Sequence, residues 1–406
     1  MKKILYINVT YKNASTGRII KDIVSSPKAQ NIEYRVLFQE GNNADGIGIQ
    51  FENKIENIIR RGVHKFFGNV ELVTVSETKR LIKEIKKFNP DLIHIHTIHH
   101  QCTNYKLLFD FLKEYNKPVI YTIHDCWAYT GGCYHYTSIG CNGFLNGCEN
   151  CPKSNIDLDC DKTKTAYNLN YKKSFYDSKI PLVFTGVSEW IASEAKKSIV
   201  NSRPVYTIRN GVDTDIFKNL KSTDEVKKMR EKLLEGRKYL VLGVASYWSE
   251  NKGLSTFKRL AEFLGDDYIV ILVGSNLPEN SNINNLKYYG RTDSVDTLCN
   301  IYNSADILCN MSIEETFGLV TAEAACCGTP VIAYDSTANS EVISLAHGTL
   351  IKKDNETEMF EKIKQICESE SQLDYFEEVR HSLSKQRMVD EYWALYEKLL
   401  NEEERR

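Results

Sequence analysis

The sequence predicts an α/β protein made of two doubly wound parallel-sheet domains. Three observations carry that expectation. The chain has 406 residues, more than one ordinary hydrophobic core accommodates. Short apolar runs alternate with helical stretches from the N-terminus onward, the pattern of a parallel sheet with crossover helices. After the turn-rich IRNGVDTDIF the same alternation begins again.

In the first half, KKILYINV reads as a strand that passes through a polar loop into a helix with Gly17 near its start, the opening unit of a nucleotide-binding domain. Strand-like runs follow at IEYRVLF, DLIHIH, PVIYTIH and LVFTGVS, with helices such as ETKRLIKEIKKF and YKLLFDFLKEY between them. The second half reads strand YLVLGVAS, helix STFKRLAEFLG, strands YIVILVG and LKYYG, helix SVDTLCNIYNSA, strand ILCN, helix TAEAACC and strand PVIAYD. This places one domain over 1–204 and the other over 205–385, with Asn210 and Gly211 supplying turn chemistry near the crossing. The amphipathic helix at 386–406 is expected to return to the first domain, where Trp393, Leu395, Leu399 and Leu400 find a surface to cover. Two such domains imply a cleft between them.

The balance of 52 basic and 54 acidic residues gives no overall bias toward nucleic acid, so any anion site is local. No run of about 18 uncharged apolar residues occurs, and the N-terminus lacks a secretory pattern, which predicts a cytoplasmic protein. Twelve cysteines in such a chain then read as thiols or metal ligands rather than disulfides.

Glu315 and Glu323 bracket a Phe317-Gly318-Leu319 turn. Gly318 lets the backbone approach a ligand, and the helix beginning there aims unpaired N–H groups at it. Carboxylates so placed accept from hydroxyls, so the pair suits a ribose and a hexose joined by a diphosphate. Their other reading is a solvated loop acid and a helix N-terminal acid.

The motif E-TFGLVTA-E followed by CGTPVIA resembles the signature of the retaining GT-B glycosyltransferases of family four. The resemblance runs along nearly the whole chain: STGRI, DLIHIH, TIHDCWAYTGGC, SEWIA, RNGVDTDIF, GVASYW and KGL stand in the family's order. It is closest to the subgroup that builds capsular, exopolysaccharide and colanic-acid-like polymers of the cell envelope. It implies a GT-B fold and a hexosyltransferase acting on a nucleotide-sugar donor and a saccharide acceptor, lipid-linked, without a catalytic metal. It also implies roles: Glu315 on donor-sugar hydroxyls, Phe317 to Leu319 as backbone donors, Glu323 on the ribose, Lys252 on the diphosphate, His124 on the transferred sugar, and Gly17 in the loop near the donor phosphate. Taken alone, Lys252 also reads as a surface charge and His124 as a structural histidine. The chain departs from the pattern at Ser246, where the family has arginine, at Asn251, where the subgroup has arginine, and in DSTANSEVI, which lacks the paired glycines and leaves Glu341 without a role.

Cys133, Cys141, Cys148 and Cys151 are spaced C-x7-C-x6-C-x2-C in a Gly- and Asn-rich loop, which suits a structural zinc ion bracing the segment after His124; packed free thiols are the alternative. Cys160 and His135 are substitute ligands. His94, His96, His99 and His100 crowd one strand end, with His94 and His96 on one face. Residues 53–69 mix Lys54, Arg60, Arg61 and Lys65 with isoleucines and phenylalanines at helical spacing, which reads either as a core helix or as a peripheral contact with an anionic membrane. Two other functions remain open on the same residues: a nucleotide-sugar epimerase using the histidines as acid and base, and a zinc-stapled protein that binds nucleotide or saccharide without chemistry.

Overall fold

The computed structural model describes residues 1–12, 14–41, 46–52, 54–67, 74–99, 102–153, 158–277, 282–353, 355–369 and 375–405. The chain divides into two units, Met1–Arg209 with Met388–Arg406, and Asn210–Arg387.

The first unit holds β1 (Lys2–Thr10), β2 (Ile32–Glu40), β3 (Gly48–Gln50), β4 (Leu92–Ile95), β5 (Val119–Ile123), β6 (Leu182–Gly186) and β7 (Val205–Thr207). They form one sheet in the order β3-β2-β1-β4-β5-β6-β7, every pair parallel. The central strands are buried on both faces, which is why Ile4–Ile7 reads as a continuous apolar run and Val119–Ile123 as one broken only by Thr122. The direction of strand order reverses between β1 and β4. Ligands of open α/β sheets sit outside the carboxyl ends of strands at such a switch point.

The helix Lys385–Glu404 buries Met388, Tyr392, Trp393 and Tyr396 against Ile4, Tyr6, Ile19 and Ile23 of the first unit. Trp393 Nε1 donates to the Ile23 carbonyl at 3.4 Å, satisfying the one polar atom of a large buried side chain.

The second unit repeats the plan with β8 (Tyr239–Tyr247), β9 (Tyr268–Ser275), β10 (Leu286–Gly290), β11 (Ile307–Asn310), β12 (Val331–Tyr334) and β13 (Thr349–Ile351), all parallel in the order β10-β9-β8-β11-β12-β13. Its switch point lies between β8 and β11. Among the described residues no helix is long and apolar enough to cross a membrane.

Candidate functional site

In the second unit the loops that leave the two switch-point strands are locked together. After β8 a 3-10 turn, Glu250–Lys252, ends at Gly253, whose φ is 79° and where a Cβ would stand 2.5 Å from Met311 Cβ. Only glycine permits that approach. The Ile313 N–H donates to the Asn251 carbonyl at 3.0 Å, and Asn251 Nδ2 donates to Glu314 Oε2 at 3.3 Å. Lys252 Nζ then lies 2.6 Å from Glu315 Oε1, with both side chains only partly exposed. The sequence-predicted cation and sugar-binding carboxylate are therefore neighbours at the edge where a parallel sheet presents its ligands.

Glu315 is held from its backbone. Its N–H donates to Thr337 Oγ1 at 2.8 Å and its carbonyl accepts from Ala338 N at 3.2 Å. Asn339 Nδ2 donates to the Ser312 carbonyl at 3.1 Å, and Asn310 Nδ2 donates to Thr321 Oγ1 at 3.0 Å. The segment DSTANSEVI, without the subgroup's glycines, thus supports the Glu315 loop through Thr337, Ala338 and Asn339. Those three were not singled out from sequence, because small residues such as Thr, Ala and Asn in a loop carry no long-range signal. Glu341 lies in the first turn of the helix Asn339–Leu345.

Gly318, at φ 98°, precedes the helix Leu319–Cys326, while the Phe317 side chain is buried. Glu323 sits inside that helix, 6% exposed, and accepts from Tyr302 OH at 2.9 Å. The predicted ribose carboxylate thus already has a phenol partner, which the sequence did not show. Of the residues that depart from the family pattern, Ser246 is exposed and Asn251 is spent on Glu314.

The first unit carries Gly17 and His124. Gly17 lies in the helix Ala14–Val24, and a Cβ there would stand 3.0 Å from Thr10 Oγ1, so glycine lets the helix start close against the end of β1. His124 follows β5. Asp125 beside it caps the turn Cys126–Tyr129 by accepting from Trp127 N at 2.9 Å and accepts or shares a proton with His99 Nε2 at 2.8 Å. This is a bracing role. Trp127 stacks on His99 and carries Lys172 over its other contacts, the ammonium 3.5 Å from the ring centroid. Lys172 is fully buried and donates to the carbonyls of Trp127 at 2.6 Å and Thr130 at 3.0 Å. Burial pushes its ammonium down to about 8. It fastens the segment after His124 from below, and as one lysine in NYKKSFY it gave no hint of doing so.

Cys133, Cys141, Cys148 and Cys151 line one cavity of about 30 Å³ together with Tyr136, Phe144 and Leu158. The N–H groups of Gly131 and Gly143 donate to the sulfurs of Cys148 and Cys141, each at 3.3 Å. Burial pushes the Cys133 thiol up and the Cys148 thiol up to about 12. Four thiols around one cavity are the right donor set for zinc. As placed, however, no three His, Cys, Asp or Glu side chains among the described residues converge closely enough to hold an ion. Cys160 instead donates to the Gly131 carbonyl at 3.4 Å.

His94 lies in β4 and His96 just beyond its end; both are buried, with ring centroids 4.1 Å apart. His100 lies outside the described residues. In the helix Lys54–Phe67, Ile55, Ile58 and Ile59 are exposed at 71%, 71% and 51%. Arg60 corrects the expectation of a basic surface: it is 4% exposed and ion-paired with Glu52 Oε1 at 2.7 Å and Glu40 Oε1 at 3.1 Å. The side chains of Lys54, Arg61 and Lys65 lie outside the described residues.

Comparison with known proteins bears on this arrangement as a whole. The family model Glycosyltransferase Family 4 matches residues 16–216, and the model Glycosyl transferases group 1 matches 225–386. A relative from Escherichia coli K12, the glycosyl transferase WcaC, named for colanic acid biosynthesis, is 24% identical over 321 residues, covering 76% of this chain and 77% of that one. Among solved structures, sucrose-phosphate synthase from Thermosynechococcus elongatus superposes with a TM-score of 0.72 at 15% identity, covering 99% of this chain and all (100%) of that one. HepE from Anabaena, in complex with UDP and glucose, gives 0.64 at 14% identity over 98% of this chain and 100% of that one. These neighbours share the GT-B fold of two parallel-sheet domains, and the two model matches fall largely one on each unit. The chain belongs to the glycosyltransferases, with a family 4 domain followed by a group 1 domain.

Proposed function

We propose that this chain is a retaining hexosyltransferase that moves a sugar from a nucleoside-diphosphate donor to a hydroxyl of a lipid-linked saccharide during surface polysaccharide assembly. The observation that carries the reading is the Lys252–Glu315 pair, at 2.6 Å, on the two loops that leave the switch point of the second sheet beside the Gly318 turn. A cation and a carboxylate set side by side suit a donor whose diphosphate lies next to a polyhydroxylated ring. The UDP complexes of HepE and the naming of WcaC for colanic acid biosynthesis support the choice of donor class and of pathway type.

In this reading Lys252 takes the charge that grows on the departing nucleoside diphosphate, where a fixed cation contributes most. Glu315 accepts from donor-sugar hydroxyls, Gly318 and Leu319 offer backbone N–H groups, and Glu323 binds the ribose in competition with Tyr302. Gly17 lets the backbone of the first unit's opening loop come near a phosphate, and His124 is assigned a hydroxyl of the transferred sugar. The leaving phosphate oxygen accepts the proton of the attacking hydroxyl on the same face of the ring, so no separate base is required. His94 has both ring nitrogens engaged, by Tyr396 and Thr122, which favours a transferase over an epimerase that needs free acid and base groups.

A lipid-linked acceptor calls for an enzyme that reaches a membrane surface. The exposed Ile55, Ile58 and Ile59 stripe supports such a contact, through apolar insertion rather than through Arg60. The test of the function is incubation with a panel of nucleotide sugars and saccharide acceptors, with the anomeric configuration of the product read by NMR. Transfer with retention is expected. Transfer with inversion would overturn the mechanism, and an epimerised donor formed without acceptor would overturn the reaction class.

A further inference from the structure

Between β4 and the end of β5 lies a line of histidines that the proposed chemistry uses only at its tip. His96 is 1% exposed, and its Nδ1 stands 2.9 Å from His124 Nε2, with the two rings 20° from coplanar. The other nitrogen of His96, Nε2, is buried and has no hydrogen-bond partner among the described residues. His124 Nε2 is taken by His96, and no described protein group bonds to its Nδ1. Burial holds the His96 imidazolium well below its usual range and pushes His124 down to about 4, so both rings are neutral near pH 7.

Two neutral imidazoles joined by one hydrogen bond share one bridging proton, and it has two possible homes. If it belongs to His124, then His96 must carry its own proton on Nε2, as a buried N–H with no acceptor. If it belongs to His96 Nδ1, then His96 Nε2 is a bare lone pair. An unsatisfied buried N–H is the rarer and costlier of the two defects. We propose that His96 is a positioning residue whose Nδ1–H donates to His124 Nε2 and thereby fixes His124 as an Nδ1–H donor.

The consequence rests on the transferase reading above. A His124 locked in this tautomer can give a hydrogen bond to a sugar oxygen but has no lone pair with which to receive the proton of an attacking hydroxyl. It binds and orients; it is not the base. His96 sits behind it and touches no substrate, so its effect passes entirely through the proton it holds in place.

The tautomer is read without any substrate. Protein labelled with 15N-histidine is examined by long-range proton–nitrogen correlation at pH 7, with the His124 signals assigned by their loss in His124→Gln. The expected pattern for His124 is a protonated, pyrrole-like Nδ1 and an unprotonated, pyridine-like Nε2. In His96→Asn the side-chain amide can replace the Nδ1–H donor and the pattern should persist. In His96→Leu the donor is gone and His124 should shift toward the Nε2–H form. A protonated Nε2 on His124 in the parent overturns the proposal, whatever the variants do, and so does an unchanged pattern in a folded His96→Leu. Should His96→Leu fail to fold, the parent and His96→Asn spectra still decide. Because no donor or acceptor enters the experiment, a failed tautomer assignment and a failed transferase assay are separate results.

Discussion

Lys252 Nζ and Glu315 Oε1 lie 2.6 Å apart, joining the loop after β8 to the loop after β11. The contact holds each group in place while leaving both partly exposed to a ligand. A pair of this kind at the surface contributes little to stability, a median of about 0–1 kcal/mol. Its value lies in prearranging opposite charges where the donor would bind.

Lys252→Met should therefore weaken nucleoside-diphosphate binding by about 10- to 100-fold, the worth of one or two charge-assisted contacts, with the melting temperature nearly unchanged. Glu315→Ala should leave nucleotide affinity close to the parent's and remove most of the turnover, because its partner is the sugar and its contribution falls on kcat. Calorimetry with UDP and other nucleoside diphosphates, set beside transfer rates, separates the two; a Glu315→Ala variant that loses nucleotide affinity instead would reverse the assignment.

Glu323 gives a different signature. Its carboxylate is 6% exposed and already bonded to Tyr302 OH. Glu323→Gln should weaken nucleotide binding by about tenfold through the lost charged acceptor. Tyr302→Phe frees the carboxylate from its competitor, so nucleotide affinity should hold or rise. A Tyr302→Phe variant that binds nucleotide as poorly as Glu323→Gln would mean the tyrosine itself is the ligand group.

Acid should destabilise the first unit in a defined window. An unfolded histidine takes up its proton near pH 6.5, whereas folded His94 and His96 resist well below that and His124 down to about 4. From about pH 6.5 downward to pH 4 the unfolded chain thus binds more protons than the folded one. Stability is full above pH 6.5 and falls as pH falls, by up to about 1.4 kcal/mol per unit for each such histidine. Denaturant midpoints measured between pH 7 and 4.5 should drop more steeply for the parent than for His94→Gln. Parallel slopes would show that the buried histidines are not the source.

For the cysteine loop, spacing and chemistry predict zinc, while the four thiols share a cavity without converging on one point. Zinc binding would then have to draw the loop together, coupling metal to fold. Protein purified without chelators should carry about one zinc per chain by elemental analysis, and chelation should lower its melting temperature. Metal-free protein with four titratable thiols in this loop would end the zinc proposal.

The membrane contact is tested on the stripe that is exposed. Replacing Ile55 and Ile58 together by glutamate should abolish cosedimentation with anionic vesicles while sparing the fold, since both side chains are 71% exposed. Arg60→Glu is the wrong probe, because it would set a third acid beside Glu40 and Glu52 in a buried pair and unfold its neighbourhood. Vesicle binding by the Ile55→Glu, Ile58→Glu protein equal to the parent's would exclude this helix.

The long strands were legible because burial on both faces writes a largely apolar run, as in YLVLGVAS and PVIYTIH, and their helices were legible from their periodicity. The strands β3, β7 and β13 were missed. Each has three residues and lies at a sheet edge, too short to carry a pattern. At the candidate site the glutamates, Lys252 and Gly318 stood out through their motif. Tyr302, Thr337 and Lys172 did not, because their roles come from partners 21, 22 and 45 residues away in sequence. Arg60 illustrates the same blindness: four basic residues in a row of isoleucines read as a surface, and only the fold reveals that one of them is claimed by Glu52.

The helix Lys385–Glu404, which follows the second unit's sheet in sequence, closes the first unit's core. On the ribosome, synthesis runs at roughly 5–20 residues per second and domains generally fold from the N-terminus forward. Here the first unit emerges early yet waits for Asn210–Arg387 to be translated before Tyr392, Trp393 and Tyr396 can cover Tyr6 and Ile23. The unit begun first is completed last, and for that interval the nascent chain presents an apolar surface with no partner of its own.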